Sequence, residues 1–427
     1  MSLRERLLPV RRPRRAADDT LLLRRMPLIG ALALVWVLLV DWATTVRIGG
    51  PSLSAMLTLG TAALMLLLLP TVIHSVVTGR MGSWRGTDRP VMTPISLALF
   101  LLVALLRLPA NPSMEGVQNV CVYVGFVLAI VLTADAADHW DLERWGRVLP
   151  LAALLVSLLF FITFVLLKFP LYGDRSFALS SLVFMALVVP WRGGGVLRWA
   201  PWIIAACTVL SLSRTASVIA IMGLAFMVVR GPRRGRVLKA GLIALAAALS
   251  VVVLWFAYAP FRERFTSGDA AVQVGGTSLN TSGRSNLWAA AWESAVQRPI
   301  LGHGPGSATE LITEKFITIS QPHNEYLRIF HDFGVVGLAF YLWGMLALLA
   351  LVWRRARRHD RPIDWAAVIA LLGILLASIT DNMIIYPFVM VPAGVIVGLS
   401  LAATDPPAPA EPVEALPQLQ TTSPEAP

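Results

Sequence analysis

Long apolar stretches separated by short polar breaks dominate this sequence. Hydrophobic residues make up 56% of its 427 positions, and its mean hydropathy is +0.70. A helix that crosses a bilayer needs about 20 apolar residues, so this content would fill roughly twelve spans. The apolar runs lie at about 27–46, 52–73, 93–109, 117–133, 148–168, 176–190, 199–212, 215–229, 238–258, 333–353, 364–380 and 384–402. The pattern predicts an all-α integral membrane protein with about 12 transmembrane helices.

The basic residues are distributed unevenly between the two sides of such a bundle. With the N-terminus inside, 25 of the 36 lysines and arginines fall in the N-terminal segment and the inner loops, and only five in the short outer loops. Cytoplasmic loops of membrane proteins carry this excess of basic residues. The asymmetry therefore orients the chain and accounts for its net charge of +11. Membrane lipids are the expected surroundings, and no nucleic acid is predicted as a partner.

This topology divides the chain into five parts. We predict a basic cytoplasmic N-terminus (1–26), transmembrane helices 1–9 (27–258), one large extracytoplasmic catalytic loop (259–332), transmembrane helices 10–12 (333–403) and a disordered cytoplasmic tail (404–427). The tail is rich in Pro, Ala and Glu and has no aromatic residue, which is typical of disorder. We expect no cleavable signal peptide, because the first 26 residues are polar and basic.

The large outer loop contains a predicted amphipathic helix, "RSNLWAAAWESAVQRP", which could lie at the membrane surface and which Pro299 ends. A glycine-rich turn, "LGHGPGS", follows it. Arg284 stands at the start of this helix, where a guanidinium is unfavourable with the helix dipole unless an anion neutralises it. Arg284 is therefore a candidate for anion binding.

Three further charged residues fall on the predicted outer side, each with an ordinary alternative. Arg214, in "SLSRTAS", either snorkels at a helix end or faces an aqueous cavity. Arg175, in "YGDRS", either contacts substrate or simply pairs with Asp174. Asp381, in "SITDN", either binds sugar hydroxyls or ends a helix together with Asn382. Arg175 and Asp381 are retained as candidate substrate-binding residues.

The stretch "QPHNEYLR" brings a histidine to the outer end of a long apolar run. Pro322 favours a helix start, so His323 is expected in or beside the first turn, and a plain loop-to-helix junction is one interpretation. The alternative is that the imidazole acts as a base, since its pKa lies near neutrality. Asn324, Glu325 and Tyr326 are weaker candidates for orienting the imidazole or binding the acceptor.

Other chemistry finds little support in the sequence. It has no H-E-x-x-H, Walker A, G-x-S-x-G or outer D-x-D motif. Asp135, Asp138 and Asp141 have ligand-like spacing, but Arg144 and Arg147 lie beside them, and a solvated helix face is the expected explanation. We predict no metal site and no cofactor.

Three segments in this order, "SLSRTAS", "GRSNLWAAAWESAVQRPILGHGPGS" and "PHNEYLRIFHDFGVVGLAFYL", resemble the O-antigen ligase and polymerase superfamily. These are bacterial membrane glycosyltransferases with a GT-C-type fold, and the specific part of the resemblance runs from about 205 to 343. The resemblance maps the two functional arginines of the family onto Arg214 and Arg284, and its histidine onto His323.

The resemblance also implies a reaction. The donor would be an undecaprenyl-diphosphate-linked glycan, and the acceptor a hydroxyl on a second glycan or glycolipid. The site would lie on the outer, periplasmic or extracellular, face of the bacterial cytoplasmic (inner) membrane, and transfer would be inverting and metal-independent. A polysaccharide polymerase of the same superfamily is the alternative within this class. A lipid-linked glycan transporter (flippase) and a structural assembly partner are alternatives from other classes.

Overall fold

The computed structural model describes residues 25–46, 52–77, 94–137, 139–190, 195–230, 272–274, 277–279, 283–316 and 321–402, with isolated positions between 237 and 256. Most of the predicted N-terminal segment, most of the apolar run 238–258 and the predicted tail 404–427 lie outside these residues. Nearly all the described chain is helical.

Each of the other eleven apolar runs contains an α-helix. The fourteen helices of the described chain are α1 (Arg25–Leu39), α2 (Trp42–Thr45), α3 (Leu53–Val77), α4 (Ile95–Arg107), α5 (Met114–Ala136), α6 (His139–Phe160), α7 (Asp174–Val188), α8 (Ala200–Leu210), α9 (Arg214–Arg230), α10 (Arg284–Ala295), α11 (Ser307–Lys315), α12 (Glu325–His359), α13 (Pro362–Ala377) and α14 (Pro387–Ala402). A π-helical segment, Phe161–Leu166, continues α6. Short 3₁₀ segments follow α4 (Leu108–Ala110) and precede α8 (Gly195–Arg198).

Four of the described helices are long and apolar enough to cross a membrane: α3, α5, α6 with its continuation, and α12. Six shorter apolar helices, α1, α4, α8, α9, α13 and α14, accompany them. The prediction of a helical, multi-pass membrane protein is therefore confirmed. The figure of about twelve spans stays a prediction.

The core of the bundle is formed where α14 packs along α5. Gly394 and Gly398 form a G-x-x-x-G pattern on α14, and a Cβ added at Gly398 would stand 2.5 Å from the Cβ of Thr133 on α5. At Gly394 it would stand 2.8 Å from the Cβ of Ala129. Small residues let helix backbones approach in this way where no hydrophobic effect drives association.

The transmembrane span that was predicted to begin at 333 belongs to a helix that begins eight residues earlier, at Glu325, close to the helix start predicted at Pro322. The side chain of Asn324 accepts a hydrogen bond from the backbone N–H of Leu327 and so caps α12. Gly334 then interrupts the helix with a non-helical backbone (φ 64°, ψ −168°). The predicted boundary at 332/333 therefore coincides with a bend inside α12.

The described part of the outer loop contains two helices and one short β-ribbon. Strands β1 (Val272–Val274) and β2 (Thr277–Leu279) pair antiparallel, and the all-α prediction did not include them. The apolar face of α10 carries Leu287 and Ala291, both fully buried, and α10 packs against α12. This face is therefore covered by protein, whereas Trp292 on the same helix is 56% exposed.

Candidate functional site

Residues far apart in the sequence line a single cavity of about 260 Å³. It lies between the start of α7, the turn from α8 to α9, the start of α10 and the loop from α13 to α14. Its lining is Asp174, Arg175, Ser211, Leu212, Ser213, Arg214, Thr215, Arg284 and Asp381. All of these residues fall on the predicted outer side of the membrane. Four of the predicted site residues, Arg175, Arg214, Arg284 and Asp381, are thus brought together.

Each of the three arginines belongs to the first turn of a helix. Arg214 and Arg284 are the first residues of α9 and α10, and Arg175 is the second residue of α7. Helix N-termini carry a partial positive charge. Three guanidinium groups and three such helix ends therefore concentrate positive charge around the cavity, which favours an anionic ligand.

The segment "SLSRTAS" forms the tight turn that presents Arg214. Leu212 adopts a left-handed backbone (φ 62°), which reverses the chain between α8 and α9. The hydroxyl of Ser213 accepts from the backbone N–H of Ala216 (3.4 Å), and that of Ser211 donates to the carbonyl of Thr208 (2.6 Å). Both hydroxyls therefore stabilise the helix ends beside Arg214.

Arg175 joins Asp381 and His323 in one polar cluster. Asp381 accepts from Nε (3.1 Å) and Nη2 (2.7 Å) of Arg175, a bidentate ion pair. The same guanidinium lies 2.8 Å from Nε2 of His323 through Nη1, and 2.7 Å from Nδ1 through Nη2. The carboxylate partner of this guanidinium is thus Asp381, while Asp174 accepts a bond from the backbone N–H of Arg175 (2.9 Å).

The surroundings of His323 keep its imidazole neutral. Burial lowers its pKa most strongly, the positive charges of Arg175 and Arg284 lower it further, and a hydrogen bond with Asn382 opposes them. Together they lower the pKa of His323 to about 3. At neutral pH the ring therefore carries one lone pair that can accept a proton.

His323 lies before the first turn of α12, not within it. Its backbone is left-handed (φ 53°), and the helix begins two residues later, at Glu325. The indole Nε1 of Trp288 donates to the carbonyl oxygen of Pro322 (2.8 Å) and so anchors the residue just before the histidine. Since Trp288 lies one turn beyond Arg284, α10 positions both the guanidinium of Arg284 and the segment that carries His323.

Asn324, Glu325 and Tyr326 do not line the cavity. Asn324 caps α12, Glu325 is fully buried and pairs with Arg328, and the hydroxyl of Tyr326 donates to the carbonyl of Leu375 (2.6 Å). These contacts hold the segment that carries His323. A role for the three residues in binding substrate stays a prediction.

Sequence reasoning missed a buried charge network behind His323. Arg328 and Asp332 are fully buried and lie 3.3 Å apart. Asp332 also accepts from the backbone N–H groups of Gly306 (3.1 Å) and Ala308 (2.9 Å) and from the hydroxyl of Ser307 (3.1 Å). It thereby caps α11. The i, i+4 spacing of opposite charges just before the apolar run 333–353 was the signal that could have revealed it.

The glycine-rich turn "LGHGPGS" packs against the bend of α12 at Gly334. A Cβ at Gly302 would stand 2.4 Å from the carbonyl carbon of Asp332, and one at Gly334 would stand 2.2 Å from the carbonyl oxygen of Ile300. Both glycines have positive φ. The backbone N–H of Gly304 donates to the carbonyl of Asp332 (2.8 Å). These glycines therefore allow the turn and the bend of α12 to pack backbone against backbone.

The predicted solvated aspartate cluster has a different environment. Asp135 pairs with Arg25, and its side chain is only 3% exposed, so this part of the prediction was wrong. Asp138 lies outside the described residues. Across the part of the chain that the structure describes, no three His, Cys, Asp or Glu side chains group as metal ligands would.

Two comparisons with known proteins report similarity over this part of the chain. Residues 199–342 match a protein-family model described as O-antigen ligase. An O-antigen ligase of Pseudomonas aeruginosa is 28% identical over 170 residues, which are 40% of this chain and 37% of that protein. The chain thus aligns with well under half of this curated relative. The resemblance to the O-antigen ligase and polymerase superfamily is confirmed, and the matched segment includes Arg214, Arg284 and His323.

Proposed function

We propose, from this similarity, that the protein is a membrane glycosyltransferase of the O-antigen ligase type. It would move a glycan from an undecaprenyl-diphosphate-linked donor to an acceptor hydroxyl on the outer face of the bacterial cytoplasmic membrane. About twelve spans in a GT-C-type arrangement are part of the proposal. The catalytic loop 259–332 would connect the ninth and tenth transmembrane spans, and α10 and α11 lie within it.

The observation that carries it is the convergence of Arg175, Arg214 and Arg284 on one cavity beside a neutral histidine. A lipid diphosphate presents two neighbouring phosphate groups. A planar guanidinium can donate two parallel hydrogen bonds to the oxygens of one phosphate group. Such bonds are stronger in a partly dehydrated site. Two carboxylates, Asp174 and Asp381, also line the cavity, so three cations face two anions and the site favours a ligand that adds negative charge.

The proposed step is a direct displacement at the anomeric carbon. The acceptor oxygen forms a bond to this carbon while the bond from the carbon to the diphosphate oxygen breaks. The electron pair of the broken bond leaves with the lipid diphosphate, where Arg214 and Arg284 stabilise the developing charge. The hydroxyl proton passes to a ring nitrogen of His323 and then to water. Attack from the opposite side inverts the anomeric configuration.

The decisive experiment is transfer by the purified protein in detergent, without a membrane gradient. One defined lipid-linked repeat unit and a glycan acceptor are supplied, and the products are separated by length. A single glycan joined to the acceptor supports a ligase, whereas a growing ladder identifies a polymerase of the same superfamily. No transfer to any of a panel of acceptors, despite binding of the lipid-linked glycan, would favour a transporter instead.

A further inference from the structure

The contact between Arg175 and His323 has a chemical consequence for catalysis. A guanidinium only donates hydrogen bonds, and a neutral imidazole offers one lone pair in the plane of its ring. Both ring nitrogens of His323 lie within 2.8 Å of Arg175. Whichever nitrogen carries the lone pair, Arg175 covers it, so an acceptor hydroxyl cannot deliver its proton there in this arrangement.

We propose that Arg175 controls when His323 acts as a base. A diphosphate bound in the cavity draws the guanidinium away from the imidazole and exposes the lone pair to the acceptor. This inference rests on the proposed function and adds an order to it, because binding of the lipid-linked donor precedes activation of the acceptor.

The surroundings of the two side chains indicate which of them moves. The side chain of Arg175 is 37% exposed and lines the cavity, whereas that of His323 is 14% exposed. The hydrogen bond from Trp288 to the carbonyl of Pro322 and the cap formed by Asn324 fix the backbone on both sides of the histidine. The backbone that carries the imidazole is therefore held in place. The guanidinium, which Asp381 holds through Nε and Nη2, turns towards the diphosphate by exchanging these contacts for phosphate oxygens.

Charge compensation acts in the same direction. The groups that face His323 are Arg175 from α7, Arg284 from α10, and Asp381 and Asn382 from the loop before α14. A general base works best when its pKa lies near the operating pH. A diphosphate offsets the charges of the two arginines, so the pKa of His323 rises from its low value. The ligand thus uncovers the base and also strengthens it.

Nuclear magnetic resonance of the histidine-labelled full-length protein in detergent tests the proposal directly. The His323 signal is identified by its loss in His323→Gln, and its titration is followed with and without inorganic diphosphate. We expect its pKa to rise above about 3, because the diphosphate offsets the charges of Arg175 and Arg284, and to stay below the ordinary value of about 6.5, because burial persists. The titration itself is recorded on the wild-type protein, and His323→Gln serves only to assign the signal. An unchanged pKa at a diphosphate concentration that calorimetry shows to be saturating would overturn the proposal.

The variant Arg175→Gln separates this role from simple charge binding. It should raise the pKa of His323 before any diphosphate is added, and the further rise with diphosphate should be smaller than in the wild type. Arg147→Gln is the matched control, because this arginine is 73% exposed and pairs with Glu143. Identical titrations in Arg175→Gln and the wild type would contradict the proposal.

Kinetics provide a separate measurement. The acid limb of the pH profile of kcat/KM for the lipid-linked donor reports the free enzyme. The acid limb of the kcat profile reports the loaded complex. In the wild type we expect the acid limb of kcat to lie at higher pH than the acid limb of kcat/KM. In Arg175→Gln we expect a smaller pH difference between the two limbs. Coincident limbs in an active wild type would remove the role of Arg175 and leave the proposed transfer intact. Absence of any transfer would instead remove the proposed function.

Discussion

At the scale of single residues, the site depends on the difference between arginine and other cations. Arg284 begins a helix and lines the cavity, where its fork of donors suits two phosphate oxygens. A lysine would keep the positive charge, but its ammonium group is a point charge and lacks the planar pair of donors. The part proposed for His323 is different, since a neutral imidazole would accept the proton of the acceptor. Substitutions at these positions should therefore affect different steps.

Removal of Arg284 should chiefly slow the chemical step. We expect Arg284→Ala to lower kcat by about 10²–10³, the loss usual when one group that stabilises developing negative charge is removed. Arg284→Lys should recover only part of this rate. Initial rates of glycan transfer provide the measurement, with Arg147→Ala and Arg147→Lys as controls. Activity in Arg284→Ala close to that of the wild type would contradict the assignment.

Removal of His323 should leave binding of the lipid-linked glycan intact. We expect His323→Ala to abolish detectable transfer while its Kd for the lipid-linked glycan stays close to the wild-type value, because the imidazole serves the acceptor. Arg214→Ala should instead weaken that binding. Calorimetric titration with the lipid-linked glycan compares the two variants. Equal loss of binding in both would show that His323 acts on the phosphates.

At the scale of elements, α10 and α12 set the geometry of the site together. Helix α10 carries Arg284 at its start, and Trp288, one turn later, holds the peptide before His323. The glycine-rich turn packs against the bend of α12 at Gly334, and Asp332, two residues before this bend, caps α11. Two helices and one turn thus place a guanidinium and an imidazole near the same cavity.

The hydrogen bond of Trp288 should matter for catalysis as well as for stability. Trp288→Phe keeps an aromatic ring but removes the donor, and one such bond contributes about 1 kcal/mol to folding. We expect a lower kcat with little change in KM for the lipid-linked glycan, because only the position of His323 is relaxed. Trp292→Phe on the same helix is the control, since Trp292 is 56% exposed. Similar kinetics in the two variants would exclude this role.

The glycine-rich turn should tolerate no side chain at Gly302. A Cβ there would stand 2.4 Å from the carbonyl carbon of Asp332, and φ is 67°. The left-handed backbone alone costs about 1–3 kcal/mol for a residue other than glycine. Gly302→Ala should lower the melting temperature in detergent markedly. Gly125→Ala in α5 is the control, because no atom lies within 4 Å of an added Cβ. Equal melting temperatures would contradict the packing described.

At the scale of the whole molecule, topology decides which residues can meet. The charge distribution predicts the cavity and α10 on the outer side and the start of α6 on the inner side. With Cys121 and Cys207 replaced by Ala, we expect Trp292→Cys to react with a membrane-impermeant maleimide in spheroplasts or intact cells. Arg147→Cys should react only after permeabilisation. Both side chains are exposed at the protein surface, so protein atoms do not shield either position. The reverse labelling pattern would show that the chain has the opposite orientation in the membrane.

The sequence by itself determined the helical membrane class, the predicted sidedness and the start of α10 at Arg284, because hydropathy, charge asymmetry and helix boundaries are local properties. It also singled out Arg175, Arg214, His323 and Asp381 one by one. Only the tertiary structure decided that Asp381 pairs with Arg175 and that Arg175 covers His323. These partners are 206 and 148 positions apart. Helix packing, not spacing along the chain, sets such contacts, so no local pattern could have revealed them.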